Sequence, residues 1–396
     1  MLLSCAARAI AAGAGLARHA SVLCGNRGDR TAIRRPKIAI LSYEHQLGSI
    51  IATTPVFSAL RQLRPDAEIT VFGTALLGQI LRSNPNVDRF VVTADPHDHP
   101  LRAIGDIVAM QLGSQTGPFD WLLATVGCRR GLIGIMAAAL PSGRRAGHTV
   151  ADFASSYAFP IPYDDQASMV ANNLRILSPL GLAPEQQEPA VFFDPPTAGR
   201  VRDLLETHGI DPDRRIAVLA LETSGGQPTQ WFADRAAEVA DRLSREANLQ
   251  IVLVGTETGQ VMLDEVRGLM STEAVSLAGR TSVPELAALF AMADLAVALD
   301  TGAMHVARAA GVPLVVVASA WQPPHLWLPI DVAQASIVSR HGSPGLCCQN
   351  VACRSRDCMR SISAKEVVTA AFDLLGHYPP SNDERRRRCA ALTVDQ

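Results

Sequence analysis

The sequence predicts an α/β protein built as two doubly wound halves, and three observations carry that expectation. Short apolar, β-branched runs alternate with segments of helical spacing over residues 37–126, and the same alternation restarts over 216–318. Between the two series lies a proline-rich passage, 184–196. The 396 residues, 48% hydrophobic and only 19% charged, are long and apolar enough to bury two cores.

Taken in order, Lys37-Ile38-Ala39-Ile40-Leu41 is strand-like. Thr54-Pro55, followed by Val56, Ala59, Leu60 and Leu63 at helical spacing, starts a helix with proline at its first position. Residues 67–73 give a second strand, 76–82 a helix stopped by Asn84-Pro85, 89–93 a third strand, 101–111 a helix and 120–126 a fourth strand. In the second series 216–220, 251–255, 274–277, 295–299 and 314–318 read as strands, separated by helices at 231–246, 259–270, 283–293 and 304–310. Such alternation favours parallel sheets covered on both faces. The expected division is an N-terminal extension over 1–36, domains over 37–190 and 191–375, and an arginine-rich tail over 376–396. An active cleft is expected between the halves, at the C-terminal ends of their strands.

Charge and composition narrow the function. A formal net charge of −2 removes the global attraction to phosphate that nucleic-acid binding requires. Lys37 and Lys365 are the only lysines, so positive charge is almost all arginine. No run of about 18 apolar residues offers a membrane span. The segment before Lys37 is alanine-rich, carries Arg8, Arg18, Arg27 and Arg30, and has no acid before Asp29; an unstructured extension, an amphipathic surface helix and a targeting peptide all fit it. The run Glu384-Arg385-Arg386-Arg387-Arg388 reads as a solvated end or as a contact with an anionic membrane surface.

Common signatures fail informatively. Gly13-Ala14-Gly15 precedes any strand, and there is no Gly-Lys-Ser/Thr loop, Gly-x-Ser-x-Gly elbow or His-Glu-x-x-His helix. What stands out instead is 295–313, where a strand runs into Asp300-Thr301-Gly302-Ala303-Met304-His305 and then a helix. Exposed N–H groups at such a helix start, reinforced by its dipole, receive a phosphate or diphosphate. Thr301 adds a hydroxyl, Gly302 permits close approach, His305 lies one turn on, and Asp300 is placed to cap the helix.

Leu47-Gly48-Ser49, Thr53-Thr54-Pro55, Pro65-Asp66-Ala67-Glu68 and Asn84-Pro85-Asn86-Val87-Asp88, followed by Leu277-Ala278-Gly279-Arg280-Thr281-Ser282, the 300–305 turn, Trp327-Leu328-Pro329 and Cys358-Met359, resemble glycosyltransferase family 9 in the same order. The resemblance covers about residues 37–375. It implies a GT-B fold and an inverting transferase that needs no cofactor for chemistry. A heptose-like sugar would pass from an ADP-sugar donor to a saccharide or lipopolysaccharide-core-like glycolipid acceptor in bacterial cell-envelope synthesis. The implied location is the cytoplasm, including a peripheral place on the cytoplasmic face of the inner membrane. By the same resemblance, Thr223, Ser224, Glu257, Asp300, Thr301, Gly302, Met304 and His305 are donor-binding residues.

Two departures bear on activity. Ser49 stands where the family carries the aspartate taken as general base, and a serine hydroxyl has no basic form near neutral pH. Glu44 and His45 in the same loop are the substitutes, with histidine preferred for its ordinary pKa. Thr229 replaces a lysine two residues before Trp231, with Arg280 and Arg308 as candidate compensating cations. A catalytically silent homologue that binds a nucleotide sugar or glycan, or scaffolds an assembly complex, is the alternative. Cys347, Cys348, Cys353 and Cys358 form the remaining cluster, open to a structural zinc or iron, to disulfides or to reduced thiols.

Overall fold

A computed structural model describes residues 34–113, 118–129, 133–149, 151–182, 187–223, 227–346 and 350–394. The chain divides into two compact units. One comprises 1–45, 52–165 and 169–187, the other 46–51, 166–168 and 188–396.

The first unit contains β1 (Lys37–Ser42), β2 (Glu68–Gly73), β3 (Arg89–Val92), β4 (Phe119–Ala124), β5 (Ser142–His148) and β6 (Phe159–Ile161). They form one parallel sheet in the order β3-β2-β1-β4-β5-β6, with Ile38 of the central strand paired to Ile69 on one side and Trp121 on the other. Every residue of β1 after Lys37 is buried, as a strand covered on both faces demands. Ala39, Leu41, Phe72, Ile107, Leu122 and Met136 are among its core.

The second unit repeats the plan with β7 (Ile216–Ala220), β8 (Gln250–Val254), β9 (Ala274–Ser276), β10 (Leu295–Leu299), β11 (Leu314–Ala318) and β12 (Ala335–Ser339). Its order is β12-β11-β10-β7-β8-β9, again all parallel. Counted from the first strand of each unit, both sheets read 3-2-1-4-5-6. That order reverses between the first and fourth strands, where a doubly wound sheet opens a crevice at its carboxyl edge. Helices Val283–Met292 and Ala364–His377 each start with a Ser…Glu capping box, Ser282 with Glu285 and Ser363 with Glu366. No helix among the described residues is long and apolar enough to cross a membrane.

Three strands were not expected from the sequence. β5 (SGRRAGH) carries two arginines and two glycines, β6 is a three-residue edge strand containing Pro160, and β12 is only partly buried. The helices Leu47–Ile51 and Pro195–Thr207 were also unforeseen; the latter is capped by Asp194, which accepts from the Thr197 amide at 2.8 Å. All but the last three residues of the expected extension, 1–36, lie outside the described residues.

The tail departs most from expectation. Residues Asn382–Leu392 form a helix docked on the second unit rather than a solvated end. Arg385 is buried, paired with Asp294 at 3.3 Å, and donates to the carbonyls of Asp213, Arg214 and Met292. Arg388 donates to the carbonyls of Ala291 and Ala293. Beyond the helix, the Phe193 amide donates to the Leu392 carbonyl at 2.9 Å and Val394 donates back to Phe193. Only Arg386 and Arg387 of the four arginines point outward, each within reach of an acid one turn earlier.

Candidate active site

In the first unit, Tyr43-Glu44-His45 leaves β1 beside Thr125-Val126-Gly127, which leaves β4; these strands flank the reversal point. Glu44 is only 6% exposed. It accepts from the Ser42 and Thr125 hydroxyls, each at 2.6 Å, and from the Gly127 amide at 3.1 Å. Burial pushes its carboxyl above the ordinary range, against those donors. Glu44 is thus an internal brace between two loops, enclosed on all sides.

His45 has the opposite surroundings. Its side chain is about half exposed, and its Nδ1 lies 3.1 Å from Oδ2 of Asp95, in the loop after β3. Asp95 also holds His97, whose Nδ1 is 3.0 Å from Oδ1. The two imidazoles meet edge to face with centroids 4.2 Å apart. Asp95 and His97 escaped the sequence reading because they lie about fifty residues from His45; only the parallel pairing of β1, β2 and β3 brings their loops to one edge.

In the second unit β7 and β10 flank the reversal point. After β10, Thr301 occupies the cap position of helix Gly302–Ala309 with an extended backbone and no side-chain cap bond. Asp300 therefore does not cap the helix, contrary to expectation. It accepts no hydrogen bond among the described residues, and burial raises its pKa to about 6. His305 is buried, and burial, with the nearby Arg308 charge, lowers its pKa to about 3, so its ring is neutral. Its ring meets Trp327 edge-on at 5.7 Å. The short helix Leu47–Ile51, part of this unit, packs on the same helix: a Cβ at Gly48 would come within 2.5 Å of the His305 ring, and one at Gly302 within 2.8 Å of Leu47. Ser49 sits half-buried on that turn.

A raised acid pKa carries a sign. The native state holds the Asp300 proton more tightly than the unfolded chain, so its ionisation destabilises the fold as pH rises through about 6. Asp300→Asn is expected to be more stable than wild type by about 3 kcal/mol at pH 8, with the gain gone below about pH 4. Paired thermal melts across that range check it.

After β7, Thr223 donates to Gln230 at 3.3 Å, while Ser224 lies outside the described residues. Glu222 takes the Thr256 amide and hydroxyl, tying the loop after β7 to that after β8. Glu257 is exposed, and its backbone lies against Gly279, whose φ of +68° suits glycine and where a Cβ would come within 3.1 Å of the Glu257 Cβ. Met304, expected at the donor, is fully buried on the core side of its helix. Its side chain therefore faces no solvent.

The family model for glycosyltransferase family 9 (heptosyltransferase) matches residues 135–352, more than half of the chain. The chain belongs to glycosyltransferase family 9. A curated relative, lipopolysaccharide heptosyltransferase 3 of Escherichia coli, is 23% identical over 357 residues, covering 85% of this chain and 97% of its own. The structure of a family 9 glycosyltransferase from Veillonella parvula superposes with a TM-score of 0.77 at 22% identity, covering 88% of this chain and all of the other. The Escherichia coli ADP-heptose lps heptosyltransferase II does so at 0.69 and 18%, covering 86% and 99%. The two six-stranded parallel sheets with their helices are the GT-B architecture of these neighbours.

For a family 9 protein the environment of Thr229 is telling. It is fully buried, and its hydroxyl has no partner among the described residues. Arg308 does not replace the missing cation: it forks onto Glu188 at 2.6 and 3.0 Å. Arg280 is exposed and forms no ion pair among the described residues. Arg356, unnoticed in sequence, donates to the Gln230 carbonyl at 3.1 Å and lies over Phe232, 5.3 Å from the ring centroid. Of the cysteine cluster, Cys358 is buried in the core of the second unit and Cys353 is half-buried; Cys347 and Cys348 lie outside the described residues.

Proposed function

We propose that this protein transfers a heptose-like sugar from an ADP-sugar to a saccharide or glycolipid acceptor of the lipopolysaccharide-core type, by inverting displacement, on the cytoplasmic side of a bacterial inner membrane. Family membership and the names of the relatives support the reaction class, among them an ADP-heptose enzyme. The observation that carries the mechanism is the His45–Asp95 pair. A carboxylate on Nδ1 fixes the tautomer that leaves Nε2 free to take a proton, which is how an imidazole base is oriented elsewhere. His45 therefore takes the role that Ser49 lacks, and Glu44 does not.

The leaving diphosphate is received at the start of helix Gly302–Ala309, where Thr301 leaves the first-turn N–H groups uncapped. Neutral His305 offers a ring N–H, and the unpartnered Asp300 carboxylate suits sugar hydroxyls. Arg280 and Arg356 are the cations in place of the family's lysine. Gly48→Val, by forcing the His305 ring aside, is expected to weaken ADP binding about tenfold, which calorimetry reads.

Ser49 and the buried Thr229 favour the second reading, a silent homologue. Incubation with ADP-heptose and lipopolysaccharide-core acceptors separates the two: turnover by wild type excludes silence, and activity appearing only in Ser49→Asp supports it.

A further inference from the structure

We propose that His45, Asp95 and His97 form a binding site for a divalent transition-metal ion of the zinc or cobalt type. The ligand atoms of the three side chains all lie within 4.8 Å of one another. Both histidines turn Nδ1 to a different oxygen of one carboxylate, at 3.1 and 3.0 Å. Ligands bound at about 2.1 Å stand about 3.0–3.4 Å apart on neighbouring corners of an octahedron or tetrahedron, so a small inward shift suffices to share one ion. Two imidazoles and one carboxylate are the donor set of borderline first-row ions, not of calcium or magnesium, which prefer all-oxygen sites.

The scaffold is held before any ion arrives. The His97 amide donates to Asp95 Oδ1 at 2.8 Å, and the His99 amide to the Asp95 carbonyl at 2.7 Å. Ala94 is anchored by its amide to Asp106 at 2.7 Å, on the helix that follows. Tyr43 beside His45 is tied through its hydroxyl to Thr93 at 2.8 Å. Thus both histidine-bearing loops are fixed to the same sheet edge. Asp95 and His97 are largely enclosed while His45 is about half exposed, which gives the ion a way in and leaves coordination positions for water. One carboxylate against a divalent charge leaves a net +1 at the site.

The proposal is independent of the transfer reaction, and metal binding is its readout. An ion on His45 Nδ1 takes the place of the proton that the base role puts there, so the loaded and base-competent forms are alternatives. The test is titration of chelator-treated full-length protein with Co²⁺, followed by absorption and calorimetry, with Zn²⁺ as competitor. One equivalent is expected, with affinity at least about tenfold weaker in His97→Ala and in Asp95→Asn. No binding by wild type, or equal binding by both variants with sulfur-to-cobalt charge-transfer bands that assign the ion to cysteines, overturns the proposal. Should the variants fail to fold, Zn²⁺ protection of His45 and His97 from diethyl pyrocarbonate in wild type decides instead: protection of both supports the site, and unchanged modification overturns it.

Discussion

His45→Ala is expected to lower kcat about 10²–10⁴-fold, the usual worth of a general base, while leaving the KM for the ADP-sugar nearly unchanged. The reason is local. The His45 side chain is about half exposed and Asp95 engages its Nδ1, which leaves Nε2 for a proton, whereas Glu44 one residue earlier spends its carboxylate on Ser42, Thr125 and Gly127. Asp95→Asn is expected to cost less than His45→Ala, since it loosens the tautomer without removing the base. Glu44→Gln should act mainly on stability. Steady-state kinetics with melts of all three variants separates a base from a brace.

Asp294→Ala is expected to destabilise the second unit by about 3–5 kcal/mol, because it leaves Arg385 charged, buried and without its counter-ion. The same change removes the acceptor of the Ile216 amide at 2.9 Å, at the start of β7. The melting temperature of that unit should fall by about 10 °C. Replacing both partners, Asp294→Leu with Arg385→Met, should recover most of the loss, since a buried pair exchanged for apolar groups is often close to neutral. A double-mutant cycle by thermal or urea denaturation reads both effects.

Much of the fold was legible because parallel strands covered on both faces must be continuously apolar. Ile216–Ala220, Leu295–Leu299 and Leu314–Ala318 are such runs and match the expected strands residue for residue. Strands β5 and β6 were not legible, since an edge position tolerates Pro160 and β5 turns Arg144 outward over Trp121. At the site, the motif from Asp300 to His305 could be placed because its parts adjoin in sequence. Asp95 could not, because its tie to His45 exists only once β1 and β3 lie in one sheet. Arg385 shows the same limit in the tail: a Glu-Arg run looks like a solvated surface until Asp294, ninety-one residues away, is found beneath it. For Met304 the motif placed the residue in the first turn of its helix but not which face its side chain occupies, and that side chain is buried.

The most direct test follows ADP-heptose with wild-type protein and a lipopolysaccharide-core acceptor by NMR, observing ADP release and the anomeric configuration of the product. The expected result is turnover with inversion, abolished in His45→Ala. Absence of transfer by wild type across a panel of acceptors, or turnover that His45→Ala leaves intact, would contradict it.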